Sequence, residues 1–257
     1  MQSLPEEPVR ALSKDEVEAF GSDGVICVRQ MLPARWIEVA AAAIERTKQA
    51  PSETGKVLSK PAPRYLNDIF VWLVDDGYRR FLFESPAARL AQQVMGSRTV
   101  TFFYDQVFVK EPRTNLPTLW HHDLTFWPIE GTQICSIWVP VDPVTRESSG
   151  LEYVRGSHRW NRRFKAVSPD YHPALLASNL EDPPDIDAHR ADYDLVNLGH
   201  GAGRRSALLS TDPTRLAREF IAATAARVCH PVAGWRCDLC ASQGADAAAQ
   251  GSWIGSR

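Results

Sequence analysis

The sequence predicts a mainly β domain of jelly-roll or cupin-like type, buttressed by helices that come first in the chain. Three observations carry this. Capped, amphipathic segments precede Val100, runs rich in valine, isoleucine, phenylalanine and tryptophan follow it, and turn-rich stretches separate those runs. At 257 residues, the chain is the size of one such domain with a large core. Apolar residues make up 44% and the formal net charge is −2, which describes an ordinary globular protein. There is no basic excess to recruit nucleic acid or an anionic membrane. No apolar run reaches membrane-spanning length, and the start, Met1 to Pro8, lacks the pattern of a signal peptide, so a cytoplasmic location is expected. Of five cysteines, Cys27 and Cys135 lie in apolar strand-like contexts and read as buried free thiols rather than a disulfide framework.

Taken in order, Ser13-Lys14-Asp15-Glu16 has the form of a capping box ahead of Val17 and Phe20, and predicts a short helix broken by Gly21 to Gly24. Val25 to Val28 is β-branched enough for a strand. Ala34 to Gln49 alternates Trp36, Ile37, Val39, Ala40 and Ile44 with charged residues at helical spacing. Pro51 to Pro63 reads as an exposed loop, and Asn67 to Leu73 as a short helix or strand. Ser85-Pro86 before Ala87 to Gly96 gives a helix with a serine cap, proline at its first turn and a glycine stop. Strands are expected at Val100 to Lys110, through the His121 segment, at Ile134 to Val141, and from Gly150 to a tight turn ending at His158. Asn161 to Asp194, rich in proline, aspartate and histidine, reads as a long surface excursion.

Chemistry concentrates in Trp120-His121-His122-Asp123. On a strand, side chains two apart share a face, so His121 and Asp123 project together while His122 points away. An imidazole beside a carboxylate on one rigid face is two-thirds of a 2-His-1-carboxylate metal triad. On the preceding strand, Gln106, Phe108 and Lys110 share a face, and Lys110 points inward if that face does. The competing reading of Lys110 is a strand-end lysine in solvent. Trp120, Phe126, Trp127 and Trp138 are candidates to wall a pocket, although each taken singly also suits ordinary core packing.

These features in this order resemble the phytanoyl-CoA dioxygenase family of iron(II)- and 2-oxoglutarate-dependent oxygenases. The resemblance rests on Phe20 to Ile26, Gln106 to Lys110, Trp120-His121-His122-Asp123, Ile137-Trp138-Val139, and Gly150-Leu151 running into Gly156-Ser157-His158, and it spans Ser13 to Leu198. It implies a double-stranded β-helix holding Fe(II) through His121, Asp123 and a distal histidine. It also implies 2-oxoglutarate chelating the metal and O₂ consumed in hydroxylating a small organic substrate, with succinate and CO₂ released. Lys110 falls where some members use a lysine towards 2-oxoglutarate, with Gln106 and Trp138 as further candidate co-substrate contacts. His158, in a turn where Arg155 replaces the family's usual proline, reads as structural.

After Leu198 the texture changes. Gly199 to Arg257 holds thirteen alanines, seven arginines, no lysine and no tyrosine, and three of the five cysteines lie within twelve residues. The distal histidine and arginine that the resemblance requires are absent from any strand-like run there, so the core is expected to be incomplete at its C-terminus. A reading-frame slip accounts for this. Read from the second base of each codon, His200 to Leu208 permit M-E-P-G-D-A-L-L-F and Thr214 to Ile221 permit H-G-S-R-G-N-S-S, with arginine codons following at 224 to 226. The chain thus divides into a domain at 1–198 and an aberrant tail at 199–257.

In the visible frame, two other metal readings remain. His200 is a candidate third iron ligand, although Gly199, Gly201 and Gly203 flank it with flexible backbone. Cys229, His230, Cys237 and Cys240 have the residue types of a zinc site, at spacings the frame slip makes coincidental. Two functional alternatives stand beside the dioxygenase: a cupin-type metalloenzyme without 2-oxoglutarate, and a non-catalytic metal- or ligand-binding module.

Overall fold

Ser13 opens the first helix, α1 (Lys14–Asp23), as its sequence predicts: the Ser13 hydroxyl accepts the Glu16 N–H at 3.1 Å and the Glu16 carboxylate accepts the Ser13 N–H at 2.8 Å. The helix runs through Gly21, past the expected break, and stops at Gly24, whose φ of 81° suits glycine alone without strain. In this computed structural model the described residues are 5–59, 65–111, 118–127, 131–143, 150–166, 179–197, 207–212, 217–218 and 222–227.

Helix α2 (Ala34–Gln49) buries Trp36, Ile37, Ala40, Ala43 and Ile44, the face its periodicity marks out. Two helices depart from the sequence reading. The expected loop at 51–63 contains α3 (Glu53–Leu58), because the Ser52 hydroxyl caps Gly55 N–H at 3.1 Å and the Ser52 N–H is held by Asp68 at 2.8 Å. Helix α4 (Asp76–Glu84) was not foreseen; Asp75 caps it at Tyr78 N–H, 3.0 Å away, and Arg46 of α2 pairs with Asp75 at 2.6 Å. Helix α5 (Ala87–Val94) buries Leu90, Ala91 and Val94.

Nine strands form two antiparallel sheets among the described residues. The larger sheet, in spatial order β1-β7-β4-β9-β3-β2, joins β1 (Val25–Val28), β7 (Ala207–Asp212), β4 (Ile134–Trp138), β9 (Ala222–Arg227), β3 (Thr101–Lys110) and β2 (Tyr65–Ile69). The smaller sheet, β6-β5-β8, joins β6 (Leu195–Asn197), β5 (Glu152–Val154) and β8 (Ala217–Arg218). One face of β4 and β7, through Cys135, Ile137 and Leu209, packs into the main core with Trp36, Phe81 and Leu90 from the helices. Each such buried side chain contributes roughly 1.5–3 kcal/mol relative to exposure.

Three expectations are corrected here. Five α-helices stand beside the nine short strands of the described residues, so the chain is mixed rather than clearly mainly β. The late strands are not missing: β7 pairs with both β1 and β4, and β9 with both β3 and β4, so backbone from the tail fills the middle of the larger sheet. Local propensity concealed this, since A-A-T-A-A-R reads poorly as a strand. Two flanking strands in need of partners overrule a weak preference. Finally, the stretch at 161–194 is only partly a surface excursion, because Phe164 and Ile186 are fully buried in a small core with Trp120 and Val154.

Candidate metal centre

The segment carrying His121 and Asp123 is not the continuous strand the sequence suggests. His121 makes a single β-bridge, His122 is extended, and Asp123 begins a 3-10 turn that runs to Phe126. The turn is favoured because it buries Leu124 and Trp127 against Ile134 of β4 and closes with Trp127 N–H donating to Leu124 O at 3.2 Å. The predicted side-chain disposition survives this change of backbone. His121 Nε2 lies 3.4 Å from Asp123 Oδ1, and both residues are buried. Nδ1 of His121 donates to Leu119 O at 2.7 Å, which leaves Nε2, the atom facing the carboxylate, as the nitrogen that could ligate a metal. Metal-binding imidazoles are oriented in this way by a backbone carbonyl on the far nitrogen.

His122 does point elsewhere. Its Nε2 accepts the Phe164 N–H at 3.0 Å, while Thr125 Oγ1 donates to Phe164 O at 2.8 Å, so this imidazole ties the segment to the small core. Burial is the main cause that lowers its pKa and keeps it neutral. His158 is structural as expected: it bonds the Gly21 carbonyl at 3.1 Å, beside the ion pair of Arg155 with Asp23.

On β3, Asp105 and Val107 are buried on one side, which leaves Gln106, Phe108 and Lys110 together on the other. Lys110 Nζ reaches Thr118 Oγ1 at 3.5 Å, next to the segment that leads into His121. Gln106 Nε2 donates to Asn67 Oδ1 of β2 at 2.9 Å and its carbonyl accepts the Tyr104 hydroxyl at 3.1 Å; Tyr104 in turn accepts Trp127 Nε1–H at 3.0 Å. A hydrogen-bonded chain thus runs from the turn after Asp123, across β3, to β2. Sequence reasoning missed Tyr104 and Asn67 in this role. Tyr104 was detectable as the residue two before Gln106 on the same face, but Asn67 requires the β2–β3 register. Trp138, the third co-substrate candidate, is buried at the end of β4 opposite Leu208 and Ala223.

Among the described residues no group of three His, Cys, Asp or Glu side chains comes together to hold a metal. His200 lies outside the described residues, as do Cys229, His230, Cys237 and Cys240. His121 and Asp123 fit two positions of a three-ligand site by donor chemistry, burial and orientation.

A family model described as phytanoyl-CoA dioxygenase matches residues 20–198. The chain belongs to the phytanoyl-CoA dioxygenase family. That family depends on Fe(II), 2-oxoglutarate and O₂. Solved structures of similar fold include a non-heme α-ketoglutarate-dependent carbocyclase, SnoK, from nogalamycin biosynthesis. It is 18% identical with a TM-score of 0.63, and the match covers 87% of this chain and 85% of that one. EctD from S. alaskensis, solved with 2-oxoglutarate and 5-hydroxyectoine, is 17% identical with a TM-score of 0.63 over 87% and 78% of the two chains. AviO1 from Streptomyces viridochromogenes is 18% identical with a TM-score of 0.56 over 85% and 95%. Likeness at these identities speaks to the fold. Sequence comparison with curated proteins gives no match. No helix among the described residues is long and apolar enough to cross a membrane.

Proposed function

We propose that this chain is built as an Fe(II)- and 2-oxoglutarate-dependent dioxygenase that hydroxylates a small organic substrate, with His121 and Asp123 as two of the iron ligands. The observation that carries the reading is the buried pair itself: Nε2 and Oδ1 lie 3.4 Å apart, with Nδ1 engaged by Leu119 O, inside the span that matches the family. Iron with 2-oxoglutarate and O₂ would supply the oxidation of a C–H bond, with succinate and CO₂ as co-products.

The residues of the chain do the rest. Leu119 O holds the His121 ring and its tautomer, and burial of both side chains keeps bulk water from the pair. Lys110 offers a cation towards a co-substrate carboxylate, and Gln106, fixed by Asn67 and Tyr104, offers amide contacts on the same face of β3. Trp138 is the apolar candidate for that co-substrate. Similar folds act on small molecules; the SnoN epimerase was solved with Fe³⁺, α-ketoglutarate and nogalamycin RO.

The tail from 199 to 257 is proposed to come from a shifted reading frame. Its abrupt change of composition begins where the family match ends, and a histidine permitted at hidden codon 214 would fall just beyond β7. On this reading the chain as written binds iron weakly and turns over poorly. Sequencing the DNA around codons 197 to 200 tests the tail: an early stop or a missing histidine codon in the shifted frame overturns it. For the activity, the frame-repaired chain should convert 2-oxoglutarate to succinate in the presence of Fe(II) and O₂. Tight Fe(II) binding without any succinate formation would favour the non-catalytic binding module.

A further inference from the structure

An indole N–H can only donate, and this gives a direction to the hydrogen bonds that lead away from the turn beginning at Asp123. Trp127, buried at the end of that turn, donates its Nε1–H to the Tyr104 hydroxyl at 3.0 Å. The hydroxyl donates to Gln106 Oε1 at 3.1 Å, and Gln106 Nε2–H donates to Asn67 Oδ1 of β2 at 2.9 Å. Every link runs the same way. The two ends of a glutamine amide are nearly alike in shape and differ in what they bond, so the series decides which end lies where. Oxygen is turned to Tyr104 and nitrogen to β2.

The far end of the series is held as well. Ser59, which follows α3, accepts the Asn67 N–H at 3.1 Å, so the residue that takes the Gln106 proton has a fixed backbone. A primary amide has two N–H groups; among the described residues Asn67 takes one and nothing takes the other. Gln106 shares its face of β3 with Lys110, so a ligand on that face meets an N–H and an ammonium, both donors. The amide oxygen, which would repel a carboxylate, is engaged by Tyr104.

We propose that Tyr104 is a positioning residue for the co-substrate: it passes on the direction set by Trp127 and locks the Gln106 amide so that it meets a carboxylate with N–H and not with oxygen. This rests on the reading of Gln106 and Lys110 as 2-oxoglutarate contacts, whereas the lock belongs to the chain alone. An amide released from the lock offers either end, and the wrong end sets oxygen against oxygen.

The lock is read in the full chain with neither metal nor co-substrate, from the Gln106 side-chain NH₂ pair in nitrogen–proton correlation spectra, identified by its loss in Gln106→Ala. Tyr104→Phe keeps the ring that packs edge-on against Trp127 at 5.6 Å and removes only the hydroxyl. It should move the NH₂ pair towards the position of a solvent-exposed amide and speed its exchange with water several-fold. An NH₂ pair unchanged in position and exchange overturns the inference. If Tyr104→Phe does not fold, Trp127→Phe, which removes the donor that starts the series, decides by the same criterion. Equilibrium dialysis with 2-oxoglutarate and Fe(II) reads the co-substrate side. Gln106→Ala should weaken 2-oxoglutarate binding about 10–100-fold, the value of a hydrogen bond to a charged group, and Tyr104→Phe several-fold. Tyr104→Phe added to Gln106→Ala should cost no more than Gln106→Ala alone, because Tyr104 acts through that amide. Additive losses would make Tyr104 a direct contact and overturn the positioning role. The two levels fail differently. A 2-oxoglutarate affinity that Gln106→Ala leaves unchanged sinks the co-substrate reading and the positioning role with it, whereas an affinity that depends on Gln106 beside an NH₂ pair indifferent to Tyr104 sinks the positioning role alone.

Discussion

His121 Nε2 faces Asp123 Oδ1 at 3.4 Å while its Nδ1 is engaged by the Leu119 carbonyl at 2.7 Å. A ring locked at one nitrogen and aimed at a carboxylate with the other is prepared for a cation between them. Replacing either His121 or Asp123 with alanine is expected to weaken Fe(II) binding by more than the roughly 10–100-fold that loss of a supporting contact costs. Dialysis against Fe(II) under anaerobic conditions measures this. The same assay on His200→Ala examines the tail: equal, tight binding by wild type and His200→Ala would contradict an incomplete site.

Lys110 ends β3 on the Gln106 face and approaches Thr118. If its ammonium meets a 2-oxoglutarate carboxylate, Lys110→Ala should raise the co-substrate dissociation constant by about 10–100-fold, the value of a charge-assisted hydrogen bond at about 1.5–3 kcal/mol. Fe(II) affinity should hardly change. Lys110→Arg is expected to recover part of the loss. A Lys110→Ala chain that binds 2-oxoglutarate like wild type would place the lysine in solvent.

Burial pushes the Asp105 carboxyl up to about 7, against the backbone N–H groups of Trp72 and Val71, which pull it down. An unfolded aspartate titrates near 3.9, so between about pH 4 and pH 7 the folded chain holds a proton that the unfolded chain has released. Stability from this group is therefore full below pH 4, is lost as pH rises towards 7, and is level above that. Across pH 5 to pH 8 the loss is about 3 kcal/mol at most, at 1.36 kcal/mol per unit. Asp105→Asn removes the titration. The difference in urea-unfolding free energy between variant and wild type should shift by that order between the two pH values, and a constant difference would contradict the assignment.

Gly24 ends α1 at φ 81°, and a Cβ placed there would collide with the His158 ring. Gly24→Ala therefore meets two penalties, left-handed backbone and collision with an imidazole held by the Gly21 carbonyl. A destabilisation of about 2–4 kcal/mol is expected, seen as a lowered urea midpoint. Gly96 has φ 59° with nothing within 4 Å of its Cβ position, so Gly96→Ala should cost only the backbone part, about 1 kcal/mol.

The elements with strong local signals were legible in the sequence. Ser13 and Glu16 announced α1, the Trp36–Ile37–Ala40–Ile44 stripe announced α2, and the i, i+2 relation of His121 and Asp123 gave their proximity even though the backbone there is a turn. What failed was whatever depended on partners distant in sequence. Helix α3 needs Asp68 to hold Ser52, the Gln106 amide needs Asn67 across the β2–β3 register, and β9 needs β3 and β4 on its two sides. Phe70 is the extreme case. Nothing in Ile69-Phe70-Val71 suggests a positive φ, since the cause is a carboxylate on a strand far along the chain.

The order of the larger sheet also sets a timetable for synthesis. Strand β1 is made early but pairs with β7, and β3 pairs with β9, so each waits for chain translated much later. At roughly 5–20 residues per second, the delay for β1 is on the order of ten seconds or more. Until then the Val25–Val28 edge and the β4 side that will meet β7 are open to other chains. A ribosome that stops near codon 198 would release a polypeptide whose helices are complete but whose main sheet has no centre, a natural client for chaperones and proteases.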